Sequence, residues 1–159
     1  MIRQLLYFVV ILLTIIPSAD AFVMVVPVED TIDGGLAAFI ERCVGEAQRK
    51  GADAIIFHVD TPGGRIDSAV HIKDTILKAG VTTIAFVDKS AISAGSLISI
   101  ACDSLFMSTG SSIGAATAVD LEGKKASEKI ISYFRAQMRA TAEAKGRRAD
   151  IAEAMVDEQ

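Results

Sequence analysis

The sequence has little of what several protein classes require. It holds two cysteines, Cys43 and Cys102, too few for a disulfide framework, and both lie in apolar stretches that favour buried free thiols. Its 16 basic residues are outnumbered by 20 acidic ones, so the positive surface that binds nucleic acid is lacking. No cluster of His, Cys, Asp and Glu has metal-ligand spacing, and the sequence therefore predicts no metal.

The N-terminus lacks a hydrophobic run long enough to cross a membrane. Leu5–Ile16 is apolar except for Thr14, whereas a spanning helix needs about 20 such residues. Arg3 precedes the run, and Ala19-Asp20-Ala21 follows it with small residues at the positions that a signal peptidase reads. The pattern predicts a cleaved signal peptide over 1–21 and a folded domain over 22–159. An uncleaved anchor is the alternative, and either one exports the body of the chain.

The body alternates short apolar runs, rich in β-branched residues, with amphipathic segments. These patterns predict strands at Val23–Val28, Ala54–Val59, Thr82–Val87 and Ser104–Met107, and helices at Leu36–Lys50, Ile66–Ala79, Ala94–Ala101, Ala126–Lys145 and Ala149–Val156. Strands that alternate with helices indicate an α/β fold with a parallel β-sheet core and flanking helices. The last helix lacks a stop signal, so we expect the domain to be truncated at its C-terminus.

Two loops carry the candidate chemistry. In the first, Asp60–Gly64, the glycines can present backbone N–H groups to an anion, although a plain turn is the competing interpretation. The second, Ala91–Ser96, places Ser93 where a loop turns into an apolar helix. The Ser93 hydroxyl is then either a helix N-cap or a nucleophile whose oxyanion is stabilised by the Ala94 N–H. Spacing alone does not decide between these roles.

Together, these loops and their flanks resemble a known family. The segments that carry the resemblance are Val25–Val28, Thr31–Asp33, Ala52–Arg65, Ala91–Gly95, Ile113–Ala116, Glu128–Lys129, Tyr133, Gly146–Arg147 and Ile151–Ala154. Their ordered set is similar to the NfeD group of membrane-bound serine proteases in the ClpP/crotonase superfamily, akin to signal peptide peptidase SppA. The resemblance covers nearly all of 22–159 and implies a ClpP/crotonase-like fold with no cofactor.

The resemblance also implies roles for individual residues. Ser93 corresponds to the nucleophile, the N–H groups of Gly63 and Ala94 to the oxyanion hole, and Gly64 with Arg65 to the substrate loop. Two backbone donors of this kind stabilise the tetrahedral oxyanion formed during acyl transfer. The residue chemistry of the two loops agrees with these roles.

The general base is where the chain departs from the family. Proteolytic relatives carry a lysine on the long helix, and counting back from Gly146-Arg147 places Arg139 there instead. A guanidinium, whose pKa exceeds about 12, does not accept a proton at working pH. Lys124, in a polar stretch, and Lys129, on the same helix, are the alternative bases. His58 and His71 are interpreted as structural.

Two functions of different class follow from this resemblance. The first is an exported serine endopeptidase at the periplasmic or extracytoplasmic face of the membrane, anchored through a missing C-terminal region. As a homo-oligomer it would cleave a peptide or membrane protein, with a stomatin-type membrane protein as partner. The second is a noncatalytic scaffold of the same fold, which Arg139 favours and Ser93-Ala94-Gly95 opposes. A crotonase-like acyl-CoA enzyme shares the geometry, but export would separate it from its cofactor.

Overall fold

The computed structural model describes residues 21–119 and 123–156. Five strands and five helices are formed there: β1 Val23–Ile32, α1 Gly34–Lys50, β2 Ala54–Gly64, α2 Ile66–Leu77, β3 Thr82–Ile92, α3 Ala94–Ala101, β4 Ser104–Met107, β5 Ser112–Gly114, α4 Glu128–Ala144 and α5 Ala149–Ala154. The predicted signal peptide, apart from Ala21, and positions 120–122 of the polar stretch lie outside the described residues.

The strands form a parallel sheet in the order β1-β2-β3-β4, and β5 pairs with the last residues of β3. Parallel neighbours need a crossover connection, which α1, α2 and α3 supply between successive strands. The predicted α/β fold with a parallel core is therefore confirmed. In such a sheet the carboxyl ends of the strands share one edge, where ligands usually bind.

One face of the sheet is packed against helices. Ile55, Phe57 and Val59 of β2 and Ala85 and Val87 of β3 alternate along their strands and are fully buried. Burying such side chains stabilises the fold by about 25 cal/mol for each Å² of apolar surface removed from water. This packing fixes the carboxyl edge of the sheet relative to the helices that start there.

The first candidate loop lies wholly within a strand and the second partly so, which the sequence did not predict. The predicted break at Asp60–Gly64 is wrong, because β2 continues to Gly64 and pairs there with an equally extended β1. The predicted end of the third strand at Val87 is also wrong, since β3 continues to Ile92 and Ser90–Ile92 pairs with β5. Backbone hydrogen bonds to distant strands therefore hold the two segments in place.

Helix ends follow the local signals more closely. Asp33 caps α1, its carboxylate accepting the Leu36 N–H at 2.9 Å, and Gly51 ends the helix in the left-handed conformation with φ 66°. Helix α3 has its predicted bounds. Helix α4 begins at Glu128, two residues later than predicted, after the N-cap residue Ser127.

A polar network closes the amino end of the sheet. The Asp103 carboxylate accepts the Thr83 N–H at 2.8 Å and its hydroxyl at 2.9 Å, while Thr83 Oγ1 accepts the Asp103 N–H at 3.0 Å. Lys145 Nζ lies 2.6 Å from Asp103 Oδ1 and ties the end of α4 to this edge. Burial raises the pKa of Asp103, but the bonds from Lys145 and Thr83 outweigh it and hold the pKa below its usual value.

Both cysteines are free, Cys102 buried and Cys43 partly buried. Burial raises the pKa of the Cys102 thiol to about 12. Within 21–119 and 123–156, no helix has both the length and the apolar character needed to cross a membrane. The same residues contain no group of three or more His, Cys, Asp or Glu side chains arranged to hold a metal ion.

Candidate active site

Ser93 forms the turn between the end of β3 and the start of α3. Its backbone has φ 54° and ψ −120°, a combination that non-glycine residues rarely adopt. The Ser93 N–H donates to the Gly114 carbonyl at 2.8 Å, and the Ser93 carbonyl accepts the Ser96 N–H at 3.0 Å and hydroxyl at 2.6 Å. A strained strand-to-helix turn of this kind is the arrangement that exposes the nucleophile in many hydrolases.

The Ser93 hydroxyl does not cap the helix that it precedes. Ser93 stands at the N-cap position of α3, yet its side chain makes no capping hydrogen bond. The N-cap interpretation of this hydroxyl is therefore wrong. Asp33 shows the contrast, because at the same position of α1 its side chain does accept a backbone N–H. A half-buried hydroxyl left out of the cap is free for chemistry at the surface of the turn.

Gly63 lies directly against Ser93. A Cβ added to Gly63 would lie 2.7 Å from Ser93 Cβ, 3.2 Å from Ser93 Oγ and 3.0 Å from the Ile92 carbonyl oxygen. Its φ of +105° is also one that L side chains rarely adopt. Only glycine fits here, and its small size lets the β2 backbone approach the hydroxyl. The fold thus brings together the two segments that the sequence identified.

Gly64 and Arg65 are held by the end of β1. A Cβ on Gly64 would lie 2.2 Å from the Ile32 carbonyl oxygen, which also accepts the Arg65 N–H at 2.8 Å. The Arg65 side chain is exposed and turns to Asp67, with Nη2 2.6 Å from Oδ2. The hydrogen bond to Asp67 raises the pKa of Arg65. The backbone of Gly64 and Arg65 is therefore fixed, while the Arg65 guanidinium is engaged with a neighbouring carboxylate.

Thr61 is a site residue that sequence reasoning missed. It is fully buried, and its Oγ1 donates to the Asp30 carbonyl at 2.5 Å and accepts the Gly63 N–H at 3.1 Å. The Gly63 N–H, expected to stabilise an oxyanion, is thus bonded inside its own segment. The available signal was a hydroxyl two residues after buried Val59, at a position that the alternation of β2 turns inward.

Arg139 lies on α4, where the family expects a lysine, and it is paired with two carboxylates. Its Nη1 lies 2.6 Å from Glu153 Oε2 on α5, and its Nε lies 3.1 Å from Glu143 Oε1. The hydrogen bond to Glu153 and the two negative charges raise the pKa of Arg139 further. The guanidinium therefore joins two helices and does not act as a base. Lys124 and Lys129 are both exposed.

The residues that follow α5 pack against the segment beside Ser93. The Ala116 N–H donates to the Met155 carbonyl at 2.7 Å, and a Cβ on Gly114 would lie 3.5 Å from Met155 Cγ. Gly114 in turn accepts the Ser93 N–H. The ion pair of Arg139 with Glu153 and this contact fix one wall of the candidate site.

Other charged groups near the carboxyl edge pair with one another. Lys89 Nζ lies 2.8 Å from Asp60 Oδ2, and this hydrogen bond lowers the pKa of Asp60. His58 lies 3.4 Å from Glu29 and, like Asp60, belongs to the half-exposed face of β2. The other histidine, on α2, likewise pairs with a carboxylate of α1 at 3.1 Å. These contacts agree with structural roles for both histidines.

The strained serine, the approaching glycine and the parallel sheet agree with what the resemblance implies. A model of the family described as NfeD1b, N-terminal domain, matches residues 22–159. This chain belongs to that family. The recognition of an NfeD-type protein from the sequence is therefore confirmed.

Two curated relatives are similar over most of this chain. The membrane protein NfeD1b of Bacillus subtilis is 38% identical over 135 residues, which cover 85% of this chain and 31% of that protein. The membrane-bound protease PH1510 of Pyrococcus horikoshii is 35% identical over 124 residues, covering 73% of this chain and 28% of the protease. The present chain thus spans less than a third of the length of either relative.

Solved structures give the same fold. The 1510-N membrane-bound stomatin-specific protease, in a serine-to-alanine variant, has a TM-score of 0.81 and 32% identity, covering 87% of this chain and 70% of that one. A lysine-to-alanine variant, solved in complex with a substrate peptide, also has a TM-score of 0.81. ClpP1 from Listeria monocytogenes has a TM-score of 0.66 at 20% identity, a likeness of fold alone. The predicted ClpP-like fold is confirmed.

Proposed function

We propose that this chain is the protease-fold portion of an exported, membrane-associated serine endopeptidase. The observation that carries the proposal is the Ser93 turn, where a strained serine outside the helix cap lies against Gly63. Backbone strain at a non-glycine residue costs about 1 to 3 kcal/mol and is retained where function requires the geometry. In this proposal 1–21 is a cleaved signal peptide and 22–159 belongs to the catalytic domain.

Ser93 acts as the nucleophile in this proposal. Its Oγ attacks the carbonyl carbon of a peptide bond, and the resulting oxyanion accepts hydrogen bonds from backbone N–H groups. Each such donor contributes about 3 kcal/mol to transition-state stabilisation. Ala94 is well placed for this role because the first N–H groups of a helix have no intrahelical partner. The second donor comes from the Gly63-Gly64 segment. The Gly63 N–H would have to leave Thr61, or the next amide would have to replace it.

The proton from Ser93 needs an acceptor, and Arg139 is not one. Its pKa is raised by Glu153 and Glu143, so it stays charged at working pH. Exposed Lys124 and Lys129 are the remaining lysine candidates. Without a tuned base, general-base catalysis worth roughly 10² to 10⁴ in rate is reduced or lost. We therefore expect weak proteolysis, with Ser93 still able to react with activated reagents.

The relatives support the choice of substrate and partner. One is named a membrane-bound protease, and the corresponding solved domain is described as specific for stomatin and was solved with a substrate peptide. By that similarity we assign this chain a peptide substrate and a stomatin-type membrane partner. In the same proposal it acts as a homo-oligomer at the extracytoplasmic face, anchored through a C-terminal region beyond this chain.

Arg139 favours a second candidate, a noncatalytic scaffold that keeps the fold and binds the same partner. The guanidinium at the base position forms two ion pairs, with Glu143 and Glu153, that stabilise the packing of α4 against α5. If the family's catalytic activity has been lost in this chain, the base position is free to hold a residue with a purely structural role. The intact Ser93 turn opposes this reading, so the scaffold is the alternative.

Covalent labelling separates the two functions. A fluorophosphonate probe should label the wild-type chain at a single site, and Ser93→Ala should reduce labelling by at least about 10³-fold without changing the thermal midpoint. Ser99→Ala is the matched control. Ser99 lies on the same helix, and its hydroxyl is buried and bonded to the Gly95 carbonyl at 2.8 Å, so its loss should leave labelling unchanged.

Two results would overturn the enzyme proposal. Equal labelling of the wild-type and Ser93→Ala chains would remove Ser93 as the nucleophile. Complete absence of labelling in a folded wild-type chain, together with binding of the stomatin-type partner, would establish the scaffold.

A further inference from the structure

Thr61 connects the segments that shape the Ser93 turn. Its hydroxyl lies between the Gly63 N–H, at 3.1 Å, and the Asp30 carbonyl oxygen, at 2.5 Å. Its methyl group lies under the first turn of α3, where a Cβ on Gly95 would come within 2.6 Å of Thr61 Cγ2. One buried side chain thus contacts β1, the glycine segment of β2 and the helix that starts beside Ser93.

The two hydrogen bonds fix the direction of the hydroxyl. A hydroxyl has one proton, and here that proton goes to the Asp30 carbonyl, so only oxygen lone pairs remain for Gly63. Asp30 has φ 58° and lies at the irregularity between Glu29 and Thr31 in β1, which brings its carbonyl within reach of Thr61. The Gly63 N–H must therefore point at Thr61, and the peptide plane before Gly63 is set by that bond.

We propose that Thr61 is a positioning residue for the oxyanion hole. By holding the Gly63 amide, its hydroxyl sets the orientation of the Gly63-Gly64 backbone relative to Ser93, so that the Gly64 N–H, and not the bonded Gly63 N–H, is the one that meets a developing oxyanion. Thr61 itself touches no reacting atom. This inference rests on the proposed function, because it concerns the reaction assigned to Ser93.

Thr83 provides a matched control within the same sheet. It is also a fully buried threonine on a central strand, and its hydroxyl also donates one hydrogen bond, to Asp103 Oδ2, and accepts one, from the Asp103 N–H. It lies at the amino end of the sheet, away from Ser93. Removing either hydroxyl takes away one donated and one accepted hydrogen bond at a buried position, so both variants should lose stability.

The test compares Thr61→Val, Thr61→Ser and Thr83→Val in the whole chain, with fluorophosphonate labelling followed at increasing probe concentration. We expect Thr61→Val to lower the maximal labelling rate roughly 10- to 100-fold, part of the effect of deleting an oxyanion donor, with little change in the half-saturating concentration. Thr61→Ser keeps the hydroxyl and should stay within about threefold of wild type. Thr83→Val should stay within about twofold.

Two outcomes would overturn the inference. Equal rates for Thr61→Val and Thr83→Val would leave Thr61 with a structural role only. A loss in Thr61→Ser as large as in Thr61→Val would show that the hydroxyl does not set the rate by itself, because serine keeps the hydroxyl and valine keeps the methyl contact with Gly95. Both differ from a failure of the proposed function, in which Ser93→Ala would label as well as wild type.

Amide resonances test the positioning without any activity. If the wild-type chain does not label, Thr61→Val should still shift the ¹H–¹⁵N signals of Gly63, Gly64 and Ser93, whereas Thr83→Val should leave them in place. Unchanged Gly64 and Ser93 signals in Thr61→Val would overturn the inference even then.

Discussion

The two edges of the parallel sheet are built in opposite ways. At the amino end, Thr83, Asp103 and Lys145 join strands and helix through side-chain hydrogen bonds, and none of them has a positive φ. The carboxyl end instead contains Ser93, Asp30 and Ala115, and the last two belong to segments that pack around the Ser93 turn. Among the described residues, the non-glycine positions with positive φ are Asp30, Ser93 and Ala115.

The three strained positions share one neighbourhood. Asp30 accepts the Thr61 hydroxyl, and Ala115 follows Gly114, whose carbonyl accepts the Ser93 N–H. At about 1 to 3 kcal/mol each, such conformations persist only where surrounding contacts determine them. The hydrogen bonds at the amino end therefore stabilise the fold. At the carboxyl end, part of the folding free energy is used to keep the backbone in strained conformations.

The largest expected effect distinguishes two glycines, one at each edge. A Cβ on Gly64 would lie 2.2 Å from a backbone oxygen of β1, whereas a Cβ on Gly51 would meet nothing within 4 Å. Gly64→Ala should therefore destabilise the chain by ~3 to 5 kcal/mol. Gly51→Ala, with only its left-handed φ to accommodate, should cost about 1 to 2 kcal/mol. Urea unfolding midpoints of the two variants measure the difference.

If Gly64→Ala were no less stable than Gly51→Ala, the β1 backbone would have to move readily where it contacts Gly64. The carboxyl edge would then be no more constrained than the amino edge. The contrast between the edges would have to be withdrawn.

The elements that form the carboxyl edge could largely be predicted from the sequence. The apolar run at Ala54–Val59 predicted the strand β2, and Ser93 lies immediately before the helix that the sequence predicted, although one face of β2 is only half-buried. Pro62-Gly63-Gly64 read locally as a turn, however, because its partner in β1 lies about 30 positions earlier in the chain. The continuation of β2 depends on its pairing with this distant segment, and the local sequence contains no signal for that pairing.

In the candidate site, too, individual residues could be predicted from the sequence, whereas contacts between distant segments could not. Ser93 and Gly63 could be predicted from residue type and family resemblance, because a hydroxyl nucleophile and a residue without a Cβ are recognisable from the sequence alone. The Thr61 bond to Asp30 spans 31 positions, and the Arg139 bond to Glu153 joins two helices. Both depend on how elements dock, so the positioning threonine was missed and the arginine was predicted without its partners.

The next prediction concerns the base position. In Arg139→Lys, Glu153 would hold the new ammonium charged and raise its pKa, so labelling at Ser93 should rise less than about tenfold. Adding Glu153→Gln removes that carboxylate and should raise labelling by about 10² over wild type, within the range of general-base catalysis. Glu153→Gln alone keeps the arginine and is the control. Unchanged labelling in the double variant would mean that α4 does not present position 139 to Ser93.

The smallest expected effect reports on the packing of the amino end. Cys102, at the end of α3, is buried with a pKa raised to about 12 from an ordinary value near 9.0. The folded chain thus favours the thiol. This stabilising contribution is complete below pH 9 and is lost as the pH rises from about 9 towards 12, by at most about 1.4 kcal/mol per pH unit.

Urea midpoints between pH 7 and pH 10.5 should therefore fall more steeply for the wild-type chain than for Cys102→Ala, which lacks the titrating thiol. Cys43→Ala is the control, because Cys43 is only partly buried and should leave the slope close to that of wild type. Native Cys102 should also resist a thiol reagent that modifies Cys43. Equal alkaline slopes for all three chains, or rapid modification of Cys102, would show that the amino end opens as readily as the strained edge, since a tightly packed edge must exclude both hydroxide and reagent.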